Sequence, residues 1–331
     1  MAGKQINKIL ELKDLHVSFD TPDGEVRAVT GLDFELHEGQ TLAIVGESGS
    51  GKSQTALAIM GLLSENGRAS GSVIFGERDL MQLSQKELNE VRGQDISMIF
   101  QDPMTSLNPF LTIEKQMVEV VMHHQGLRKD EAHGQAVEML RAVRIPDPEE
   151  RILDYPHQYS GGMRQRVMIA MGLLCHPQLL IADEPTTALD VTVQAQIINL
   201  IAELRKKSSM SIIIITHDLA VVADIADRIM VMYAGQMVES GSARDIFYRP
   251  QHPYTKGLLK SVPRLDRAGE TRLQAIPGNP PNPVSVPDGC RFRDRCEHAV
   301  EACRQDPPVQ EADGHRASRC IIEIDDKELP A

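Results

Sequence analysis

No apolar run in this 331-residue chain is long enough to cross a bilayer. The longest are short, such as Ile212 to Ile215, whereas a spanning helix needs about 18 or more such residues. The opening stretch MAGKQINKILELKDLHVSF alternates charged and apolar residues and has no export-signal block, so export is not expected. Basic residues are in deficit, 35 against 47 acidic ones. The resulting charge of −12 repels a phosphate backbone and argues against a general nucleic-acid binder. There is no internal repeat and no long low-complexity tract. Cysteine is scarce, five in all, but four of them (Cys290, Cys296, Cys303 and Cys320) fall in the last 42 residues. In a cytosolic chain such a cluster reads more readily as a metal site than as disulfides.

Apolar residues make up 41% and charged residues 25%, which excludes a disordered or collagen-like chain. The length suggests two domains, and a core of about 250 residues buries enough surface to need no disulfide staples. Residues 9–19 and 26–36 alternate as strands around Pro22, Asp23 and Gly24, which predicts a hairpin. Thr41–Val45 is a continuous apolar run, followed by a glycine-rich stretch and a helical pattern from Lys52 to Leu63. Residues 102–178 read as mainly helical, with helical periodicity around 114–126 and 131–143 and breaks at Pro146, Pro148 and Pro156. Leu179–Asp183 and Ser211–Thr216 read as buried parallel strands flanking a helix over Val193–Lys206. The sum is an α/β core carrying an antiparallel N-terminal hairpin and a helical insertion. Past residue 262, Pro263, Pro277, Pro280, Pro281, Pro283 and Pro287 mark an irregular connector. The expected division is 1–263, with the insertion at 102–178, and a small cysteine-rich module at 264–331.

Gly46-Glu-Ser-Gly-Ser-Gly-Lys-Ser53 matches the phosphate-loop pattern G-x-x-x-x-G-K-[ST]. Its glycines, with Ser48, Ser50 and Gln54, allow backbone N–H groups to face an anion at a helix N-terminus. Lys52 then reaches the β/γ oxygens and Ser53 ligates Mg²⁺. The strand Leu179–Asp183 ends in Asp183 and Glu184, at the edge where α/β sheets place ligands. Asp183 is expected on Mg²⁺ and Glu184 as the general base for water. Either half alone would be commonplace, a glycine-rich turn or a solvated strand end. Together they predict an ATPase.

Tyr159-Ser-Gly-Gly-Met-Arg-Gln-Arg166 resembles the signature of ABC ATPases. In that family, Ser160, Gly161, Gly162 and Met163 of one subunit cap ATP held by another, which implies a partner nucleotide-binding subunit. The resemblance extends to Gln101 as the Q-loop glutamine, also near Mg²⁺, and to Ala188-Leu189-Asp190 as the D-loop. It makes His217 the switch histidine and Phe19 the aromatic that stacks on adenine. A lone histidine at a strand end is usually structural, and Phe19 alone could simply be core, the lesser of its two readings. The chain departs from many relatives at Tyr159 and at Met163, which cannot donate as glutamine does.

Three longer stretches narrow the resemblance: Ile99–Pro109, Glu184–Gln196 and Arg249–Leu259, with Ile276-Pro-Gly-Asn-Pro-Pro281 ahead of the cysteines. They are similar to the ATP-binding subunits of bacterial oligopeptide/dipeptide ABC importers, the D-type in particular. That resemblance implies a heterodimer with a second, F-type ATPase and docking on two membrane permease subunits. It implies peptide delivery by a periplasmic binding protein and a peripheral place on the cytoplasmic face of the inner membrane. The permease coupling helix would dock between residues 101–112 and the insertion. Dipeptide, nickel or glutathione importers belong to the same family. A soluble ABC ATPase acting on nucleic acid or ribosomes is a different class, but its usual tandem cassettes or coiled-coil insertions are missing. A purely regulatory nucleotide binder would be expected to lose Glu184 or His217.

The spacing Cys290-x5-Cys296-x6-Cys303-x16-Cys320 fits neither common zinc nor ferredoxin patterns. Four thiolates suit a [4Fe–4S] cluster or Zn²⁺, with free thiols or disulfides a third reading; the family resemblance implies the cluster. His298 and His315 lie nearby. Cys175 sits among apolar helical residues and is expected in the core.

Overall fold

A computed structural model describes residues 7–101, 106–187, 190–261, 275–312 and 316–322. Ala188 and Leu189 of the expected D-loop, Pro263, His315 and positions 102–105 of the expected coupling groove lie outside the described residues. The chain forms two compact units, each assembled from separate segments.

One unit comprises the chain up to Ile9, Leu36–Gln40 and Gln82–Ile215. It contains three parallel strands in the order β8 (Ser211–Thr216), β7 (Leu179–Asp183), β6 (Ile96–Ile99). Every residue of β7 and β8 is buried, which is why both read as unbroken apolar runs rather than alternating ones. Helices Ile113–Gln125 and Lys129–Ala142 match the periodicity of the sequence. Ile113, Met117 and Val121 on one, and Ala132, Ala136 and Leu140 on the other, are wholly buried at four-residue spacing. Thr112 caps the first by accepting the Lys115 N–H at 3.3 Å, and left-handed Gly126 ends it. The helix Val191–Lys207 starts on Asp190, whose carboxylate accepts the Val193 N–H at 3.0 Å. It ends in Arg205, Lys206 and Lys207, which complement its dipole.

The other unit comprises Leu10–Glu35, Thr41–Met81 and the chain from Thr216 onward. Its antiparallel sheet runs β2 (Gly24–His37), β1 (Lys8–Thr21), β4 (Gly67–Phe75), β5 (Arg78–Asp79), so the predicted hairpin gains two strands. A second set pairs β3 (Thr41–Val45) parallel to β9 (Arg228–Tyr233), with β10 (Gln236–Ser242) antiparallel beyond it. The helix after the glycine loop stops at Ile59, short of the expected Leu63. Gly61 turns left-handed at φ 62°, and the Leu62 N–H closes on the Leu57 carbonyl at 2.8 Å. The C-terminal segment joins this unit directly: β12 (Arg316–Ser318) pairs with β10, and β11 (Gln310–Ala312) with β12.

The cysteine cluster is the expectation that the structure overturns. Cys290, Cys296, Cys303 and Cys320 line one small apolar pocket with Phe292, Pro307 and Ile321. All four are free, and among the described residues no group of three or more His, Cys, Asp or Glu is arranged to hold a metal ion. Burial raises the thiols of Cys290 and Cys320 and pushes Cys296 up to about 11. Cys320 Sγ instead donates to the Ile322 carbonyl at 3.8 Å. Neither the [4Fe–4S] cluster nor zinc is therefore assigned to these residues. Their surroundings are held by aromatic packing: Phe292, 4% exposed, sits edge-on to Tyr233 and beside Tyr254 and His252. Cys175 is buried in the core, as expected.

Candidate nucleotide site

The phosphate loop follows β3. Gly46 stands where an added Cβ would lie 2.2 Å from the Met232 carbonyl oxygen. Gly51, at φ 96°, would place one 2.3 Å from the Ala28 carbonyl oxygen. Only glycine fits at these two positions, while Gly49 at the loop tip has open space around it. Gly51 also precedes the helix Lys52–Ile59 without a side-chain cap, at the helix end that favours an anion. Lys52 is buried, and its Nζ donates to the Gly46 and Glu47 carbonyls at 2.8 and 2.9 Å and to Ser50 Oγ at 3.4 Å. This ring of oxygens is the coordination that phosphate oxygens would replace.

Beside the loop lies a cavity of about 370 Å³. Phe19, Ala28, Ser48, Gly49, Gln54 and Pro281 are among its walls. Its size suits a nucleoside. Phe19 is only half-buried and faces this space, so it is not a core residue. Gly67 lies against its ring: a Cβ there would meet Phe19 Cε1 at 2.7 Å. His217 is exposed directly after β8.

In the other unit, β7 delivers buried Asp183 and half-buried Glu184. Glu184 has φ 45°, unusual for a residue with a side chain, and its N–H donates to the Ile215 carbonyl at 2.9 Å. Gln101 Nε2 and Thr187 Oγ1 both donate to Glu184 Oε2, at 2.9 and 2.7 Å. The predicted Q-loop glutamine and general base are thus in direct contact, and Thr187 is a partner that no motif had singled out. Two donors on one oxygen orient the carboxylate rather than leaving it to rotate.

The signature residues open the helix Gly161–Leu173. Ser160 Oγ accepts the Met163 N–H at 3.3 Å, and Ser160 and Gly161 are exposed, with nothing within 4 Å of a Cβ at Gly161. Tyr159, one of the two departures from many relatives, is buried, and its hydroxyl donates to the Arg151 carbonyl at 2.6 Å. Burial pushes its phenol up to about 12. It is a packing residue, so the substitution leaves the exposed serine and glycines unchanged.

Sequence reasoning also missed Tyr254 and Arg295. Tyr254 Oη accepts the Glu47 N–H at 2.9 Å, and Arg295 pairs with the Glu47 carboxylate. Their partner is more than 200 residues away in sequence, so no spacing could signal it.

Residues 29–187 match the ABC transporter family, and residues 238–303 match the oligopeptide/dipeptide transporter C-terminal region. The chain is 56% identical to the oligopeptide transport ATP-binding protein OppD of Escherichia coli strain K12, over 98% of this chain and 96% of that protein. It is 54% identical to the dipeptide transport ATP-binding protein DppD of Bacillus subtilis strain 168, over 92% of this chain and 91% of the relative. Among solved structures, the dimeric ATP-binding cassette MJ0796 in a post-hydrolysis state with ADP and Pi matches at a TM-score of 0.64 and 26% identity. That match covers 71% of this chain and 99% of the other.

Proposed function

Because this chain belongs to the ATP-binding proteins of oligopeptide/dipeptide ABC transporters, we propose that it is the subunit whose ATP hydrolysis powers peptide import. The observation that carries the reading is the phosphate loop, with Lys52 ringed by loop oxygens beside the cavity that Phe19 lines. Phe19 stacks on the base. Ser48, Gly49, Ser50, Gly51, Lys52 and Gln54 hold the phosphates. Ser53, Asp183 and Gln101 would hold Mg²⁺, which would neutralise charge on the phosphate oxygens. Glu184, aimed by Gln101 and Thr187, polarises the attacking water, and His217 contacts the γ-phosphate.

Ser160, Gly161, Gly162, Met163 and Asp190 act on ATP held by a second ATPase subunit, which we take to be of the F-type. Binding of ATP closes that pair and hydrolysis releases it, so differential affinity for the closed state does the mechanical work. The nucleotide-binding domain is 1–263, its helical insertion 102–178, and 264–331 the C-terminal module. Two permease subunits dock near residues 101–112, where Phe110 is 86% exposed. A periplasmic protein supplies the peptide. No helix among the described residues is long and apolar enough to cross a membrane, which is compatible with a peripheral place on the inner membrane's cytoplasmic face.

The test is uptake of labelled peptides into right-side-out vesicles that carry the complete transporter and enclose ATP, with the periplasmic binding protein outside and Lys52→Ala as the comparison. Uptake and ATP hydrolysis should both fall to background. Uptake that persists in Lys52→Ala would sink the reading. Parallel arms with tripeptides to pentapeptides, dipeptides, nickel and glutathione assign the cargo.

A further inference from the structure

The second residue of the phosphate loop is held by the far end of the chain. Arg295 Nη1 and Nη2 grip the two carboxylate oxygens of Glu47 at 2.6 and 3.0 Å, across 248 positions of sequence. The Arg295 side chain is 6% exposed and that of Glu47 28%. The guanidinium is itself fixed: Nε donates to the Pro277 carbonyl at 2.9 Å, Nη2 to the Ile276 carbonyl at 3.3 Å, and Nη1 to the Tyr233 hydroxyl at 3.3 Å. It also lies 5.7 Å from the Tyr233 ring centre and 5.9 Å from that of Phe292. The Glu47 backbone is held as well, since its N–H donates to the hydroxyl of buried Tyr254 and its carbonyl accepts from Lys52 Nζ.

A buried ion pair adds little net stability once desolvation is counted. Its effect is positional. Glu47 belongs to a loop that receives a triphosphate, and an unpaired carboxylate there would repel the ligand and free the loop to move. Only a guanidinium fork can neutralise both oxygens while fixing their direction. The C-terminal segment also supplies Pro280, Pro281, Pro283 and Val286 to the wall of the cavity beside the loop.

We propose that Arg295 is a positioning residue for nucleotide binding: it neutralises and fixes Glu47, so the C-terminal segment sets the affinity of the phosphate loop for ATP. This rests on the reading of Gly46–Ser53 as the ATP site.

The experiment is a titration of the full-length chain with a fluorescent ATP analogue and Mg²⁺, alongside thermal unfolding without nucleotide. Arg295→Ala should weaken binding about tenfold or more, and adding Glu47→Gln to it should recover affinity to within about threefold of the parent. For a merely structural arginine, the loss and its rescue by Glu47→Gln would appear in the thermal midpoint without nucleotide and not in the affinity. Should Arg295→Ala fail to fold, Arg295→Lys keeps a charge without the fork and should weaken binding about threefold. Unchanged affinity in the arginine variants, or a double variant no better than Arg295→Ala, overturns the proposal. Lys52→Ala separates the two claims. If it loses binding while Arg295→Ala does not, only the role of Arg295 falls; if Lys52→Ala binds normally, the loop is not the ATP site.

Discussion

Glu184 combines a left-handed backbone at φ 45° with a carboxylate oxygen that accepts from both Gln101 and Thr187. Such a backbone costs on the order of 1–3 kcal/mol and persists only where neighbours over-determine it. The Glu184 N–H bond to the Ile215 carbonyl is one such constraint. Glu184→Gln keeps the shape but removes the base, so phosphate release should slow by about 10²–10⁴-fold with ATP affinity nearly unchanged. Steady-state phosphate release beside a binding titration checks this, and near-parental turnover would remove Glu184 from the role. Thr187→Val should lower kcat by a smaller factor, about tenfold, with little change in KM, because it leaves the base but loosens its aim. Glu184 stood out in the sequence as a carboxylate after an apolar run, and Gln101 only through the resemblance to ABC ATPases. Thr187 and Arg295 did not, because their roles arise from distances that only folding creates.

At the scale of elements, local chemistry was most readable where burial is complete. β3, β7 and β8 are unbroken apolar runs because every residue in them is buried. β6 has only four residues, and β10 carries Gln236, Glu239 and Ser240 inside the protein, so neither shows an apolar pattern. Glu239 is wholly buried because it accepts the N–H groups of Gln251 and His252 at 2.7 and 2.9 Å, a use that no strand periodicity encodes. The phosphate loop is the opposite case, since its glycine spacing is dictated by close backbone approach. Gly51→Ala would set a Cβ 2.3 Å from the Ala28 carbonyl at a φ of 96°. It should weaken ATP binding at least tenfold and lower stability by about 1 kcal/mol or more. Calorimetric unfolding and nucleotide titration of the same preparation check both, and a variant with parental affinity would show that the loop tolerates a side chain there.

For the whole molecule, composition misled in one place. Four cysteines in a stretch poor in large apolar residues invite a metal as staple, yet Phe292 anchors the segment among Tyr233, Tyr254 and His252, and β12 extends from β10. His252 belongs to this same core. It is 1% exposed, its Nδ1 accepts the Tyr254 N–H at 3.1 Å, and burial pushes its pKa down to about 3. The folded protein therefore keeps the ring neutral, whereas the unfolded chain binds a proton below the ordinary value of 6.5. This contribution is fully present above about pH 6.5 and is lost as pH falls toward 3, by up to about 1.4 kcal/mol per pH unit. Burial of Glu239 raises its pKa and works in the other direction, favouring the folded state as acid is added. A variant that changes only the histidine separates the two. In His252→Asn the amide oxygen can still accept the Tyr254 N–H, but nothing titrates at that position. Thermal midpoints of the parent should fall between pH 7.5 and 5.5 more steeply than those of His252→Asn, and parallel profiles would mean that the ring is protonated in the fold.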